Sequence, residues 1–296
     1  MSKSNILFII NPISGGKDKL KIPALIDAHL DRSKFNANYS FTEYVGHASE
    51  IAEEAASKNF DIIVAVGGDG TINEIASKVM QHHKILGVLP FGSGNGLSRF
   101  LKIPMNTAKA IRVINDLNVS LIDTATFNQK SFFNMAGMGF DAHISSVFAG
   151  NKSRGLSGYV KLGLKEMLNY KAQEYRIEID GKEYLRTAFV VSIANSSQYG
   201  NNAHIAPKAS ITDGLLDVCI VKAFPLYQIT LLAYHMLRGS TDQSSLVEII
   251  RGKEIRISRV ADDAIHIDGE PYFMGKEIEV SIVPLSLNII TPAYES

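Results

Sequence analysis

Asp61-Ile62-Ile63-Val64-Ala65-Val66-Gly67-Gly68-Asp69-Gly70-Thr71-Ile72-Asn73-Glu74 is the stretch on which the fold turns. Asp61 to Val66 carries the continuous apolar run of a parallel strand covered on both faces. It runs straight into Gly67, Gly68 and Gly70, and helical spacing resumes from Ile72 to Met80. Glycines permit positive φ and let the backbone approach a ligand closely. A strand, glycine turn and helix start together expose unpaired N–H groups at the positive end of a helix dipole, an arrangement that favours a phosphate. Asp69 is a poor phosphate neighbour unless a cation or a hydroxyl lies between them, so it is a candidate for a Mg²⁺ network or for orienting an acceptor. A tight turn with an Asp cap is the simpler reading, but two glycines before the Asp and one after exceed what a cap needs. No Gly-Lys-Ser/Thr follows, so this is not a Walker A loop.

The same alternation extends on both sides. Ile6–Ile10 is another buried strand, followed by the loop Asn11-Pro12-Ile13-Ser14-Gly15-Gly16-Lys17 and a helix through Ile22, Leu25, Ile26 and Leu30. Tyr39–Thr42 reads as a strand, Ala48–Lys58 as a helix, and Ile85–Leu89 as a fourth strand. That strand ends in a second glycine turn, Pro90-Phe91-Gly92-Ser93-Gly94-Asn95-Gly96. The order predicts a doubly wound, Rossmann-like parallel sheet over residues 1–125, with ligand loops at the carboxyl ends of its strands. From 126 to 296 the pattern changes to many short strands with two helical stretches, near Gly155–Tyr170 and Leu226–Arg238, and predicts an antiparallel β-sandwich-like domain. Its last residues are free to return to the first domain. Asp180-Gly181 and Asp268-Gly269 are hairpin signals.

Composition excludes several classes. The chain has 296 residues, 46% hydrophobic and 20% charged, which is ordinary for a globular protein with a large core. Lys+Arg and Asp+Glu each total 30, so no global field draws it to nucleic acid, and none is expected as a partner. The single cysteine, Cys219, allows neither an internal disulfide nor a Cys-rich zinc site, and its apolar surroundings predict a packed strand thiol. No segment approaches the roughly 20 apolar residues that span a bilayer. A cytoplasmic protein that touches membrane from one side at most is expected.

Gly67-Gly68-Asp69-Gly70-Thr71 resembles the nucleotide loop shared by diacylglycerol, sphingosine and NAD kinases and phosphofructokinases. Asn11-Pro12-x-Ser14-Gly15, Gly92-Ser93-Gly94-Asn95 and the distant Asp268-Gly269-Glu270 together resemble the diacylglycerol/sphingosine kinase family, in its bacterial catalytic-domain form, over nearly the whole chain. The resemblance implies a phosphofructokinase-like first domain that binds ATP through Asn11, Pro12, Ser14, Gly15, Gly16, Thr42, the run Gly67 to Thr71, Asn73, Glu74 and Gly92 to Asn95. It implies an ATP-dependent lipid kinase whose general base is Glu270 or Asp268, the former preferred, with Asp268 in the magnesium-water network. Asp123 matches a family acid of the same network, although it could equally be a cap. The turn Pro207 to Asp217 resembles the family's structural-metal turn, in which Thr212, Asp213, Leu215 and Asp217 would surround Mg²⁺. Oxygen-only ligation suits that ion. Many diacylglycerol kinases carry an Asp after the Asn of the second glycine loop. This chain has Gly96, as sphingosine kinase relatives have a small residue, so the particular lipid stays open.

Lys152, Arg154, Lys161, Lys165 and Lys171 interleave with Leu156, Val160, Leu164, Met167 and Leu168, the composition of a basic helix that could rest on the inner face of a membrane or simply pack on the core. The oligomeric state is open, with a homodimer among the options. Two other functions fit parts of the pattern: an NAD-kinase-like enzyme, and a nucleotide- or lipid-binding regulator without catalysis.

Overall fold

The computed structural model describes residues 3–16, 19, 21–149, 163 and 165–293. Lys17 and most of the basic stretch, including Lys152, Arg154, Leu156, Val160, Lys161 and Leu164, lie outside the described residues. The chain forms two compact units, residues 1–122 with 285–296 and residues 123–284.

In the first unit, strands β1 (Ser4–Ile10), β2 (Phe35–Phe41), β3 (Ile62–Gly67) and β4 (Ile85–Pro90) stand in the order β2-β1-β3-β4, all parallel. All six residues of β3 are buried, and Ile6 and Phe8 to Ile10 of β1 are wholly so, as expected for strands with helices on both faces. The helices are α1 (Ile22–His29), α2 (His47–Ser57), α3 (Asp69–Gln81), α4 (Gly96–Phe100) and α5 (Thr107–Asp116). Helix α5 is capped by Asn106, whose side chain accepts the Lys109 N–H at 3.1 Å. A fifth parallel strand comes from the far end of the chain, where Asn288 and Ile289 pair with Ile85 and Leu86.

The second unit is antiparallel. Its strands are β5 (Val119–Phe127, of which residues from 123 belong here), β6 (Lys130–Phe132), β7 (Met135–Gly139), β8 (Gln173–Ile179), β9 (Lys182–Ala194), β10 (Leu216–Lys222), β11 (Val247–Gly252), β12 (Glu254–Arg259), β13 (Asp263–Ile267), β14 (Glu270–Met274) and β15 (Glu277–Ile290, of which residues to 284 belong here). The long β9 makes the sandwich: residues 182–188 pair with β8, and the rest pair with β7 on one side and β10 on the other. Ile177, Ile193, Val218, Ile257, Ile265 and Val280 meet in the core between the layers. A second apolar cluster lies under the helix α6 (Phe140–Ala149) and the helix Ile229–Arg238. Cys219 belongs to it and is fully buried, and burial pushes its thiol far above the ordinary range.

Both Asp-Gly pairs are two-residue hairpin turns. Asp180 and Gly181 have φ of 49° and 80°, and Asp268 and Gly269 have 47° and 88°, the twin positive values of a type I′ turn. Among the described residues no helix is long and apolar enough to cross a membrane.

Candidate functional site

In the first unit the loops after β1, β3 and β4 are locked together at the carboxyl ends of the strands. Asn11 follows β1, and its Nδ2 donates to Thr71 Oγ1 at 3.0 Å, while its Oδ1 accepts the Ile13 N–H at 3.1 Å. Ser14 continues the turn by donating Oγ–H to the Asn11 carbonyl at 3.3 Å. Pro12, Ser14, Gly15 and Gly16 therefore sit on a loop held from behind by the start of α3. Gly15 has φ of 62°, and a Cβ there would lie 1.8 Å from the Phe91 carbonyl oxygen. Only glycine allows the first loop to press on the last.

The two glycine turns meet backbone to backbone. A Cβ on Gly92 would come within 2.7 Å of the Gly68 Cα. A Cβ on Gly67 would strike the Thr71 side chain at 2.6 Å. Asp69, in the first turn of α3, links these turns through both carboxylate oxygens: Oδ2 accepts the Asn95 N–H and Oδ1 the Gly96 N–H, each at 2.9 Å. It thus satisfies donors at the start of α4, as a capping carboxylate does. Asn95 is buried with φ of 51°, and its amide closes its own loop, with Gly92 N donating to Oδ1 at 2.8 Å and Nδ2 donating to the Gly92 carbonyl at 2.7 Å. Gly94 contributes its carbonyl to Arg99 Nε at 3.0 Å, and Ser93 is exposed on the same turn.

Thr42, just past β2, is buried and donates its N–H to the Ile10 carbonyl at 2.9 Å. Glu74 receives the Gly46 N–H at 3.4 Å. Asn73 accepts the Ser77 hydroxyl on its carbonyl at 2.9 Å, and Gly70 and Thr71 occupy the first turn of α3. The glycine loops and the first turn of α3 thus place backbone and small polar side chains at the strand ends. Such groups can cradle phosphates without adding bulk.

Lys19 escaped the sequence reading. Its side chain is buried, with Nζ donating to the Ser14 carbonyl and, at 3.4 Å, to the Pro12 carbonyl, and it lies 5.5 Å from the centre of the Phe91 ring. One lysine among three neighbours carries no periodic signal that would single it out.

In the second unit, Asp268 is buried and its carboxylate collects three main-chain N–H groups from the turn between β6 and β7: Phe133 at 3.0 Å, Asn134 at 2.9 Å and Met135 at 3.0 Å. Asp180 does the same at the other Asp-Gly hairpin, accepting from Lys253 at 3.0 Å and Glu254 at 2.9 Å. An Asp at the first turn position clasps the neighbouring turn in both places. At Asp268 the structure therefore shows a positioning task. Glu270, the first residue of β14, is exposed next to it.

Beside this hairpin lies a partly buried polar cluster that periodicity did not reveal. Asp141 Oδ2 accepts from Tyr199 OH at 3.0 Å and lies 2.9 Å from His266 Nε2. His266 Nδ1 is buried with no partner among the described residues. Gly137 makes room, since a Cβ there would fall 2.8 Å from Asp141 Oδ2. Burial, then the Asp141 charge, holds the Tyr199 phenol far above its ordinary range.

The turn expected to hold magnesium gathers its acids. Asp123 is wholly buried and accepts the Gly214 N–H at 2.7 Å, so it clasps this turn, as a cap would. Asp213 Oδ1 accepts the Leu215 N–H at 3.1 Å, and Arg251 pairs with both Asp213 Oδ2 and, at 3.5 Å, Asp217 Oδ1. Burial raises the Asp217 carboxyl to about 6 against the pull of Arg251, and its Oδ2 has no hydrogen-bond partner. Among the described residues no three His, Cys, Asp or Glu side chains are grouped to hold a metal. A metal here would need main-chain oxygens, such as those of Thr212 and Leu215, beside Asp213 and Asp217. The orphaned Asp217 Oδ2 and the all-oxygen donor set fit Mg²⁺.

Residues 5–127 match the model of the diacylglycerol kinase catalytic domain, and residues 134–291 match that of the YegS C-terminal NAD kinase beta sandwich-like domain. A diacylglycerol kinase of Staphylococcus aureus (strain bovine RF122 / ET3-1) is 29% identical over 270 residues, 88% of this chain and 84% of that protein. A solved candidate diacylglycerol kinase from Bacillus anthracis str. Sterne superposes with a TM-score of 0.81 at 23% identity, covering 99% of both chains. An NAD kinase from Archaeoglobus fulgidus in complex with ATP shares the fold more distantly, with a TM-score of 0.55 at 13% identity over 97% of this chain and 94% of that one. A parallel unit with interlocked glycine loops, followed by this sandwich, is a phosphotransferase with an alcohol group as acceptor. The chain belongs to the diacylglycerol kinase-like family of lipid kinases, in its bacterial form.

Proposed function

We propose that the protein transfers the γ-phosphoryl group of ATP to a hydroxyl of a membrane lipid, diacylglycerol or a related glycerolipid or sphingoid lipid. The observation that carries this reading is the interlocking of three loops at the strand ends: Asp69 accepts the N–H groups of Asn95 and Gly96, and Asn11 donates to Thr71. Phosphoryl transfer asks a protein for positioning and charge neutralisation more than for covalent chemistry. In this reading Asn11, Ser14, Gly15, Thr42 and the runs Gly67 to Glu74 and Gly92 to Asn95 surround ATP. Bound magnesium would supply charge neutralisation at the phosphates.

Glu270 takes the proton from the lipid hydroxyl. Glu270 is an exposed residue at the end of the hairpin turn, and Asp268 clasps that turn through main-chain N–H groups. At the turn 212–217, Asp213 and Asp217 would hold a structural Mg²⁺ together with the Thr212 and Leu215 oxygens, with Asp123 fixing the turn. The proposed domains are a kinase domain over 1–125 and a lipid-substrate domain over 126–296 whose last residues return to the first, acting at the inner face of the membrane.

Radiolabelled ATP offered with extracted bacterial lipids, and separately with NAD, tests the reading. Labelled lipid supports it. Labelled NAD would favour the NAD-kinase-like alternative, in keeping with the fold shared with the Archaeoglobus enzyme. Label in neither product would point to a binding regulator.

A further inference from the structure

The helix Ile229–Arg238, preceded by the short 3₁₀ turn Leu226–Gln228, has two apolar sides. Ile229, Leu232 and Met236 pack inward on the cluster around Phe140, Phe189 and Val221. A solvated helix would be polar on its other face. Here Tyr227, Leu231, Tyr234 and Leu237 follow one another along the outside, 76%, 45%, 51% and 65% exposed.

Charge within this segment has one sign, and the nearby Glu248 is paired with Arg186. No Asp or Glu occurs from Val218 to Thr241, a span that contains Lys222, His235 and Arg238. The flanking acids are engaged elsewhere, Asp217 by Arg251 at 3.5 Å and Asp242 by Lys208 at 2.8 Å. Arg238 lies along the stripe, donating from Nη1 to Tyr234 OH at 2.8 Å.

We propose that this stripe is a membrane-docking surface whose occupant is the interfacial zone of an anionic bilayer, a proposal that rests on the lipid-kinase reading. Tyrosine and leucine suit the boundary between headgroups and acyl chains, while Arg238 and Lys222 meet lipid phosphates. A second copy of the chain fits less well, because a two-fold contact would bring like charges together with no acid of the stripe to pair them.

Co-sedimentation of the full chain with phosphatidylcholine/phosphatidylglycerol vesicles, and with phosphatidylcholine alone, tests the surface. The parent protein pellets preferentially with the anionic vesicles. The double variant Leu231→Ser/Leu237→Ser lowers the bound fraction about tenfold by removing interfacial apolar area. Turnover of a short-chain, monomeric diacylglycerol stays at the parent level in that variant, which also reports that it folds. A parent that fails to pellet, or a double variant that pellets equally, overturns the proposal. So does a dimer in sedimentation velocity that the double variant abolishes while vesicle binding is unchanged. Loss of pelleting in the variant, with no lipid phosphorylated by either protein, sustains the surface and overturns the kinase reading.

Discussion

The main-chain N–H of Gly96 donates to Asp69 Oδ1 at 2.9 Å, so the acid of the first glycine loop caps the helix behind the second. Position 96 is where many diacylglycerol kinases carry a further Asp. In this chain position 96 contributes a backbone donor to Asp69. Asp69→Asn puts an amide NH₂ against one of the two N–H groups and removes the charge. We expect kcat/KM for ATP to fall about 10- to 100-fold, in line with the loss of charge-assisted hydrogen bonds. Steady-state kinetics with varied ATP and varied Mg²⁺ check this. A changed magnesium requirement with ATP affinity intact would instead make Asp69 a metal ligand.

Gly15 and Gly46 make a matched pair for the close approach of the loops. Both have positive φ, 62° and 89°, but a Cβ on Gly46 meets nothing within 4 Å whereas one on Gly15 collides with the Phe91 carbonyl. Gly46→Ala should cost only the conformational penalty of about 1–2 kcal/mol. Gly15→Ala should also raise the KM for ATP severalfold, because the first loop is pushed off the last. Denaturant melts and ATP kinetics on the two variants separate strain from displacement.

Asp268 and Glu270 lie two residues apart with different surroundings, and their conservative variants should separate. Glu270→Gln should lower kcat by about 10²–10⁴-fold, the range for loss of a general base, with little change in Tm. Asp268→Asn leaves three main-chain N–H groups without an anionic acceptor, so Tm and kcat should fall together. Near-normal turnover in both variants would remove this hairpin from the chemistry.

At the turn 212–217, Mg²⁺ should raise Tm, and Asp217→Asn should abolish that increment. Arg251→Met removes the counter-charge shared by Asp213 and Asp217, so it should destabilise the metal-free protein and enlarge the magnesium increment. If Arg251 is the sole counterion of this pair, differential scanning fluorimetry will show no magnesium effect in any of the three proteins.

The Asp141, Tyr199 and His266 cluster should be structural in its largest effect. His266→Ala removes one partner of a partly buried carboxylate, at a cost of about 1–3 kcal/mol. Urea melts of the variant measure it directly.

Local order determined much of this protein. The apolar runs before Asn11, Gly67 and Phe91 specify parallel strands, because only a doubly covered strand is apolar on both alternating faces. The glycines that follow specify loops at the strand ends, and the short strands after residue 126 specify an antiparallel sandwich. The glycine turns themselves were legible for the same reason: they depend on residues adjacent in sequence.

What needed the tertiary structure was everything set by pairs far apart. Strands β7, β11 and β14 are not distinct in pattern, since Met135–Gly139 is glycine-rich and Glu270–Met274 is largely exposed. They exist because β9, β10 and β13 offer them ladders. The pairing of Ile289 with Leu86 joins residues far apart in the chain, and no local propensity encodes it. The backbone partners of Asp69, Asp123 and Asp268 were decided in the same way. An acidic side chain announces only a charge; whether it faces a metal or a row of N–H groups depends on which distant backbone folds against it. Gly96 looked like a missing carboxylate in sequence, and folding made it the donor that Asp69 receives.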